Sequence, residues 1–175
     1  MACTTLEHLP DGARVFLDAN VFVYHFTGAS PTCRDLLRRC EEGLVSGVTS
    51  ALVLAEVAHR LMMIEAVVRG LVTPGNVARK LRDRPEVVRG LRDYQANVDA
   101  IGWMGLEVLA IDPGAWMRSA EVRSAWGLMV NDSLIVTACR DAGIGALASA
   151  DRDFARVPDL TLYAPADLPG GAPSG

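Results

Sequence analysis

The chain has 175 residues, of which 50% are hydrophobic and 22% charged, and this composition fits one domain with a substantial core. No apolar run approaches the roughly 18 residues of a membrane span, and the first residues do not resemble a secretory signal, so we expect a cytoplasmic protein. A net charge of −4 argues against a protein that coats nucleic acid by bulk electrostatics. The four cysteines lack zinc-binding spacing, which predicts reduced thiols.

Positive charge is concentrated in one segment of this acidic chain. From Arg60 to Arg92 there are eight basic and three acidic residues, and Lys80 is the one lysine among them. Arginine suits phosphate because its planar guanidinium donates several parallel hydrogen bonds. Two interpretations stay open: a local basic face, or a solvated helical surface on which arginine pairs with Asp and Glu.

The first half of the chain alternates short apolar runs with helical patterns. A short apolar run is typical of a strand buried on both faces, and Ser followed by Pro is typical of a helix start. The predicted elements are a strand RVFL before Asp18, a helix from about Val21, a helix capped at Ser30 and ending near Gly43, a strand GVTS, and a helix from Ala51 to about Arg69 capped by Ser50.

The second half continues the alternation. Between Arg69 and Ile101, apolar residues at loosely helical spacing are interrupted by Pro85, which predicts two helices with a break there. The elements predicted after it are a strand LEVLAID ending at Asp112, a helix from Ala115 to Trp126, a helix opened by Asn131 or Asp132 and running through Arg140, a strand GALAS before Asp151, and a strand LTLYA.

Strands that alternate with helices predict an α/β fold. We expect a central, mostly parallel sheet of about five strands, flanked by helices. The predicted domain covers residues 14–164. A lead of residues 1–13 precedes it, and residues 165–175, which are rich in Pro and Gly, are predicted to form a flexible tail.

Four acidic residues stand where apolar segments end or turn: Asp18, Glu56, Asp132 and Asp151. A carboxylate in an apolar setting costs several kcal/mol unless a cation or hydrogen bonds compensate it. In α/β sheets, ligands bind outside the carboxyl ends of the strands, where three of these acids are expected directly and the fourth more loosely. Carboxylate oxygens are ligands for Mg²⁺ or Mn²⁺, so the set predicts a divalent-metal site.

Each acid also has a purely structural interpretation. An Asx turn, a helix cap, a surface ion pair and a loop position are all common uses of Asp and Glu. In this chain they correspond to a turn at Asp18, an ion pair of Glu56 with Arg60, an N-cap at Asp132, and a loop position for Asp151 beside Asp153. The joint placement of the four acids favours a shared site.

These residues lie in segments that resemble one family. The segments LDANVFVY, TSALVLAEV, NDSLIVTAC and ASADRDF match the order and spacing of the PIN-domain nucleases, from about Arg14 to Leu162. The resemblance implies a PIN-like three-layer fold and a metal-dependent endoribonuclease, most often a VapC-like toxin of a toxin–antitoxin pair. It implies that the four acids are catalytic and bind Mg²⁺ or Mn²⁺ directly or through water. Accompanying polar positions correspond to Asn20, Ser50, Ser149 and Asp153.

The resemblance implies partners as well. They are an RNA substrate, a small antitoxin whose segment crosses the acidic crevice, and a second copy of the chain in a homodimer. One group of apolar residues serves either the core or such a dimer: Leu54, Val57, Leu61, Met62 and Ile64. The segment from Arg69 to Ile101 is longer than in compact toxins of this kind.

Three other functions were weighed against this one. A haloacid-dehalogenase-like phosphatase usually has Asp-x-Asp where this chain has Asp18-Ala19-Asn20. That class and the response regulators both need a lysine near the acids, whereas Lys80 stands in a polar helical stretch without a strand before it. A catalytically silent PIN-like module that binds RNA or protein stays open as the alternative.

Overall fold

The computed structural model describes residues 4–168 and forms one layered α/β domain. The strands are β1 (Thr4–Thr5), β2 (Arg14–Leu17), β3 (Ser46–Ser50), β4 (Glu107–Leu109), β5 (Ala146–Ala148) and β6 (Thr161–Ala164). The α-helices are α1 (Ala19–Phe26), α2 (Pro31–Glu41), α3 (Ala51–Val68), α4 (Val77–Arg82), α5 (Pro85–Gly90), α6 (Asp93–Ile101), α7 (Pro113–Trp126) and α8 (Val130–Asp141). The strands pair in the order β1-β6-β5-β2-β3-β4, and every pairing is parallel.

Strand β2 lies at the centre of the sheet because its side chains are apolar on both faces. Val15, Phe16 and Leu17 are fully buried, as expected for a parallel strand covered by helices on both sides. β2 pairs with β3 on one side and with β5 on the other. The strand order therefore changes direction around β2, and the carboxyl ends of these three strands border one crevice.

The predicted α/β fold with a mostly parallel sheet is confirmed, with one strand more than expected. The extra strand, β1, pairs with β6 in the segment predicted as a lead, and it is too short to show a periodic pattern. Next to it, Leu6 and Leu9 are buried in the main core. At the other end, Asp167 accepts hydrogen bonds from Ser30 and Thr32. The division into lead, domain and tail stays a prediction, and residues 169–175 of the tail lie outside the described part.

The predicted strand LEVLAID is wrong in its length. Only Glu107–Leu109 pairs, at the edge of the sheet beside β3. The Asp112 carboxylate accepts a hydrogen bond from the Ala115 N–H and caps α7, with Pro113 in the first turn. That cap turns the chain away from the sheet, so the strand pattern stops before Asp112.

The segment after α3 contains three short helices, where the sequence predicted two. The expected break exists, because Pro85 occupies the first turn of α5. A second break at Leu91 and Arg92 separates α5 from α6. It depends on Glu65, whose carboxylate accepts hydrogen bonds from the Arg92 and Tyr94 N–H groups at 3.0 and 2.9 Å. Such a contact between distant segments leaves no local signal in the sequence.

Helices α4 and α5, which we call the helical cap, pack against α3 around a second hydrophobic cluster. Its buried members are Ala66, Val72, Leu81, Val87 and Leu91, and side chains of α3, among them Met62, Met63 and Val67, pack against them. The main core is a separate cluster formed by the strands and the helices that pack on them.

The apolar residues of α3 mainly serve these two clusters. Val57 and Leu61 are buried in the main core, and Leu54 and Ile64 pack against it. Met62 packs against the second cluster. These contacts support the core interpretation, while a homodimer stays a prediction.

No helix within residues 4–168 is both long and apolar enough to cross a membrane. Three cysteines, Cys33, Cys40 and Cys139, are buried and unpaired. Burial raises the pKa of the Cys33 and Cys40 thiols to about 11. They therefore contribute as small apolar side chains.

Glu65 shows that a buried acid can have a structural purpose. Its side chain is 5% exposed and pairs with Arg69 at 2.8 Å. Burial alone would raise the pKa of Glu65, but hydrogen bonds from Tyr94, Arg92 and Arg69 outweigh it and hold the pKa below its ordinary value. The carboxylate stabilises the start of α6 when charged, and this stabilisation is lost as the pH falls through the lowered pKa.

We predict that Glu65→Gln lowers the free energy of unfolding by about 2 kcal/mol at pH 7, since hydrogen bonds to a buried charged acceptor are lost. Urea denaturation measures the change, and the difference from the wild type should shrink as the pH falls below the ordinary glutamate pKa of 4.5 and through the lowered pKa of Glu65. Glu86→Gln is the control, because that exposed carboxylate faces solvent beside Arg84. Equal stability of Glu65→Gln and the control would contradict this account.

Candidate active site

Asp18 lies directly after β2 and is held by four hydrogen-bonding groups. Its Oδ2 accepts from Asn20 Nδ2 at 2.6 Å and from Ser149 Oγ at 2.7 Å. Its Oδ1 accepts from the Ala19 N–H at 2.6 Å, which caps α1, and its own N–H donates to the Ala148 carbonyl. One oxygen therefore has a local use at the start of α1, through the N–H of the next residue and not the N–H two residues on as in an Asx turn, and the other belongs to a network that joins β2 to β5.

Asn20 and Ser149, two of the predicted accessory residues, complete this network. Asn20 Oδ1 accepts from the Ala150 N–H at 2.9 Å, and its Nδ2 also donates to Ser149 Oγ at 3.0 Å. The same hydroxyl accepts from the Asp151 N–H at 3.0 Å. Asn20 and Ser149 are buried, so they fix the chain after β5 relative to Asp18.

The pKa of Asp18 is raised from 3.8 to about 6. Burial is the main cause, and the negative charges of Glu56 and Asp132 add to it. The hydrogen bonds from Ser149 and Ala19 act in the opposite direction. The three carboxylates are thus close enough to repel one another, and a cation placed among them would relieve that repulsion.

Glu56 projects from the second turn of α3 toward the same crevice. Ser50, six residues earlier, accepts from the Val53 N–H and caps the helix that carries Glu56. Arg60 lies 3.7 Å from Glu56 Oε1, and both side chains are about one-third exposed. The ion pair with Arg60 therefore exists together with the orientation toward the site, and at 3.7 Å it is weak.

Asp132 lies in the first turn of α8. The helix begins at Val130 after a Met129 cap, one residue before Asn131 and two before Asp132, so the prediction that one of these two residues opens the helix is wrong, and Asp132 is not its N-cap. Burial raises the pKa of Asp132, and the charges of Asp151, Glu56 and Asp153 raise it further. Asp132 therefore connects the acids on both sides of the crevice.

Asp151 and Asp153 form the outer edge of the site. Asp151 Oδ1 accepts from the Asp153 N–H at 2.9 Å and caps the short 3-10 helix Arg152–Arg156. Asp153 pairs with Arg156 at 2.7 Å, and Asp151 is exposed. Both acids act on Asp132 electrostatically, so they belong to the same cluster although they also have local structural uses.

Two arginines that sequence reasoning did not single out position the elements around Asp132. Arg156 bonds to Asp153 and also donates to the Gly127 carbonyl at 3.2 Å, in the turn before α8. Arg123 of α7 donates to Ser133 Oγ at 3.0 Å, next to Asp132. Arg156 could have been found from the sequence, because it stands three residues after Asp153, a spacing at which side chains can pair. Arg123 and Ser133 are ten residues apart, and the sequence gives no sign of their contact.

The described residues do not contain a ready-made metal cage. No group of three or more His, Cys, Asp or Glu side chains between residues 4 and 168 is arranged to hold an ion. In this arrangement, Asp18 and Asp151 accept hydrogen bonds and Glu56 lies beside Arg60. Mg²⁺ usually retains several waters and takes one or two carboxylates, so a partly hydrated ion fits this donor set.

The family model described as "PIN domain" matches residues 15–160. Ribonuclease VapC2 of Methanocaldococcus jannaschii is 25% identical over 150 residues, covering 85% of this chain and 92% of that protein.

Two solved structures share the fold. VapBC2 from Rickettsia felis, bound to a promoter DNA fragment, has a TM-score of 0.56 at 19% identity, covering 86% of this chain and 98% of that one. Mycobacterium tuberculosis VapC20, described as a Sarcin-Ricin loop cleaving toxin, has a TM-score of 0.56 at 15% identity, covering 82% and 95%.

The raised pKa of Asp18 predicts a pH-dependent stability that one substitution removes. The folded state binds this proton more tightly than the unfolded chain, so the free energy of unfolding falls as the pH rises from 3.8 to about 6. In metal-free buffer, Asp18 should account for about 3 kcal/mol of that fall. Asp18→Asn should remove this share in urea titrations, and Asp99→Asn, at an exposed site, should retain it. An unchanged pH profile in Asp18→Asn would refute the assignment.

Proposed function

The chain belongs to the PIN domain family, and on that premise we propose that it is a Mg²⁺- or Mn²⁺-dependent endoribonuclease, the VapC-like toxin of a type II toxin–antitoxin pair. One observation carries the proposal. Asp18, Glu56 and Asp132 come from three separate elements, and the charges of Glu56 and Asp132 raise the pKa of Asp18 while the charge of Glu56 raises that of Asp132. A purely structural use of these acids does not explain why they are held together.

A bound ion, when present, would lower the pKa of a water molecule and offset negative charge on the phosphodiester. We assign Asp18, Glu56, Asp132 and Asp151 as its ligands, directly or through water. Asp18 is the fixed point of the set, because Asn20 and Ser149 restrain one of its oxygens. Asp132, half-buried and with a raised pKa, is suited to accept a proton from the attacking water.

RNA is the proposed substrate because the crevice that contains the acids is open to solvent and can admit a phosphodiester chain. Asp151 is exposed and Glu56 is about one-third exposed, so a polymer reaches the acids without entering a closed pocket. Arginines near the crevice would bind the backbone, and bases of single-stranded or looped RNA would be recognised through their accessible edges.

An antitoxin protein is the proposed partner. The structural relatives include VapBC2 from Rickettsia felis, whose described structure contains both components of such a pair. The concentrated negative charge of the four acids suits a basic side chain of a protein segment lying across the crevice. We also propose a homodimer. The proposed location is the cytoplasm, which agrees with the unpaired cysteines.

A catalytically silent binding module is the second candidate. The observation in its favour is the incomplete ion site among residues 4–168, where Glu56 is turned toward Arg60. Such a module would retain RNA or protein binding and lack metal-dependent cleavage.

The experiment that tests the proposal is cleavage of total tRNA and rRNA with Mg²⁺ or Mn²⁺. We expect Asp132→Asn to lower the cleavage rate by about 100-fold or more, since a charge at the reacting centre is lost. EDTA should abolish cleavage by the wild type. Asp99→Asn, an isosteric change outside the site, should cleave normally.

Thermal melting separates failure of the chemistry from failure of the substrate choice. Binding of a divalent ion to the folded state alone raises the melting temperature, by mass action. If the wild type cleaves nothing but melts higher with Mn²⁺, and Asp132→Asn does not, the ion site exists and the RNA was wrong. Without cleavage or metal-dependent stabilisation, the silent module becomes the better description.

A further inference from the structure

The helical cap packs against the face of α3 that carries Glu56. Glu56, Arg60, Met63 and Val67 are spaced by four, three and four residues, and such residues lie along one side of a helix. Met63 and Val67 pack against the second cluster beneath the cap. At 1.5 Å per residue, they lie about 10 and 16 Å along the helix axis from Glu56. The cap therefore packs on the same side of α3 as Glu56.

The cap has a hydrophobic interior that it shares with α3. Leu81 of α4 and Val87 of α5 are buried against Ala66 of α3. Lys80 is not free for a ligand, because its Nζ donates to Thr73 Oγ1 at 2.7 Å and to the Thr73 and Pro74 carbonyls. Arg84 donates to the Leu71 carbonyl at 2.7 Å. These two cations hold the loop between α3 and α4 in place.

Three arginines of the cap are exposed without a partner. Arg79, Arg82 and Arg89 have no ion pair or hydrogen bond through their side chains among residues 4–168. Most other arginines bind a carboxylate, and examples are Arg14, Arg38, Arg39, Arg118, Arg140 and Arg156. The interpretation of the basic segment as a surface of Arg–Asp/Glu pairs is therefore wrong for these three residues.

Unpaired arginines concentrated on one small element are unexpected in a chain with a net charge of −4. Residues 77–90, which span the two helices of the cap and the turn between them, contain five basic and two acidic residues. Arg79 and Arg82 are three residues apart, so they project from the same side of α4, away from buried Leu81. Guanidinium groups in this arrangement match the charge of successive phosphates.

We propose that Arg79, Arg82 and Arg89 bind the phosphate backbone of the RNA substrate beyond the cleaved bond. This chain then selects RNAs that extend well past the cleaved bond over short oligonucleotides. This inference rests on the proposed ribonuclease function and extends it to substrate class. The α3 side chains on which the cap packs lie about 10 and 16 Å along the helix axis from Glu56, so the cap contacts RNA outside the nucleotides at the cleaved bond.

The decisive variant is Arg79→Gln/Arg82→Gln/Arg89→Gln. Its matched control is the triple Lys variant at the same positions, which keeps the charge, and Arg34→Gln removes an exposed charge on α2 instead. Binding of a labelled RNA of about 20 nucleotides is measured by fluorescence anisotropy in EDTA at several salt concentrations. Cleavage with Mn²⁺ is measured on that RNA and on one trimmed to about four nucleotides.

The triple Gln variant should bind the long RNA about tenfold more weakly, and its salt dependence should flatten by about two units of slope for three lost contacts. Its KM on the long RNA should rise, with kcat and cleavage of the short RNA retained. The Lys variant and Arg34→Gln should stay near the wild type. Melting curves check that all variants fold.

The possible failures are distinguishable. If the wild type cleaves RNA and the triple Gln variant binds and cleaves like it, the ribonuclease function stands and the cap inference is overturned. If the wild type binds RNA through the three arginines but cleaves none, the inference about the cap stands and the proposed chemistry fails. A wild type that binds no RNA overturns the cap inference.

Discussion

Burial of the Asp18 carboxylate at the end of the central strand is the constraint on which the rest of the site depends. β2 is apolar on both faces, so the residue that follows it enters a setting where a charge is poorly solvated. Hydrogen bonds from Ala19, Asn20 and Ser149 compensate part of that cost. Since Ser149 follows β5, the compensation requires β5 to lie next to β2, and the sheet order and the site are parts of one arrangement.

The sequence was sufficient to predict the elements that determine the site. RVFL before Asp18 and GALAS before Asp151 form strands because short apolar runs bounded by polar residues have few other uses. Ser30 and Ser50 cap helices as expected, since their hydroxyl groups accept from N–H groups three residues ahead. These signals are local, and the convergence of the acids then followed from the geometry of a parallel sheet.

Long-range contacts explain what the sequence did not predict. β1 forms because Thr4 and Thr5 pair with the edge strand β6. The start of α6 depends on hydrogen bonds to Glu65, more than 25 positions earlier in the chain. Glu65 also limits the rule that an acid within an apolar stretch indicates a metal site. Glu65 fits the same pattern as Glu56 on the same helix. The two differ only in their surroundings: Glu65 is surrounded by N–H donors and Arg69, whereas Glu56 lies near other acids.

The two separate hydrophobic clusters have a consequence for the dynamics of the molecule. The cluster beneath α4 and α5 contains few buried side chains and has no strand, whereas the main core spans the whole sheet. The smaller unit should therefore open locally at a lower free energy than global unfolding, with the sheet intact. Backbone amides of α4 and α5 would then exchange with solvent hydrogen long before those of β2. A substrate strand lying across both regions would slow that exchange and join two independently fluctuating units into one.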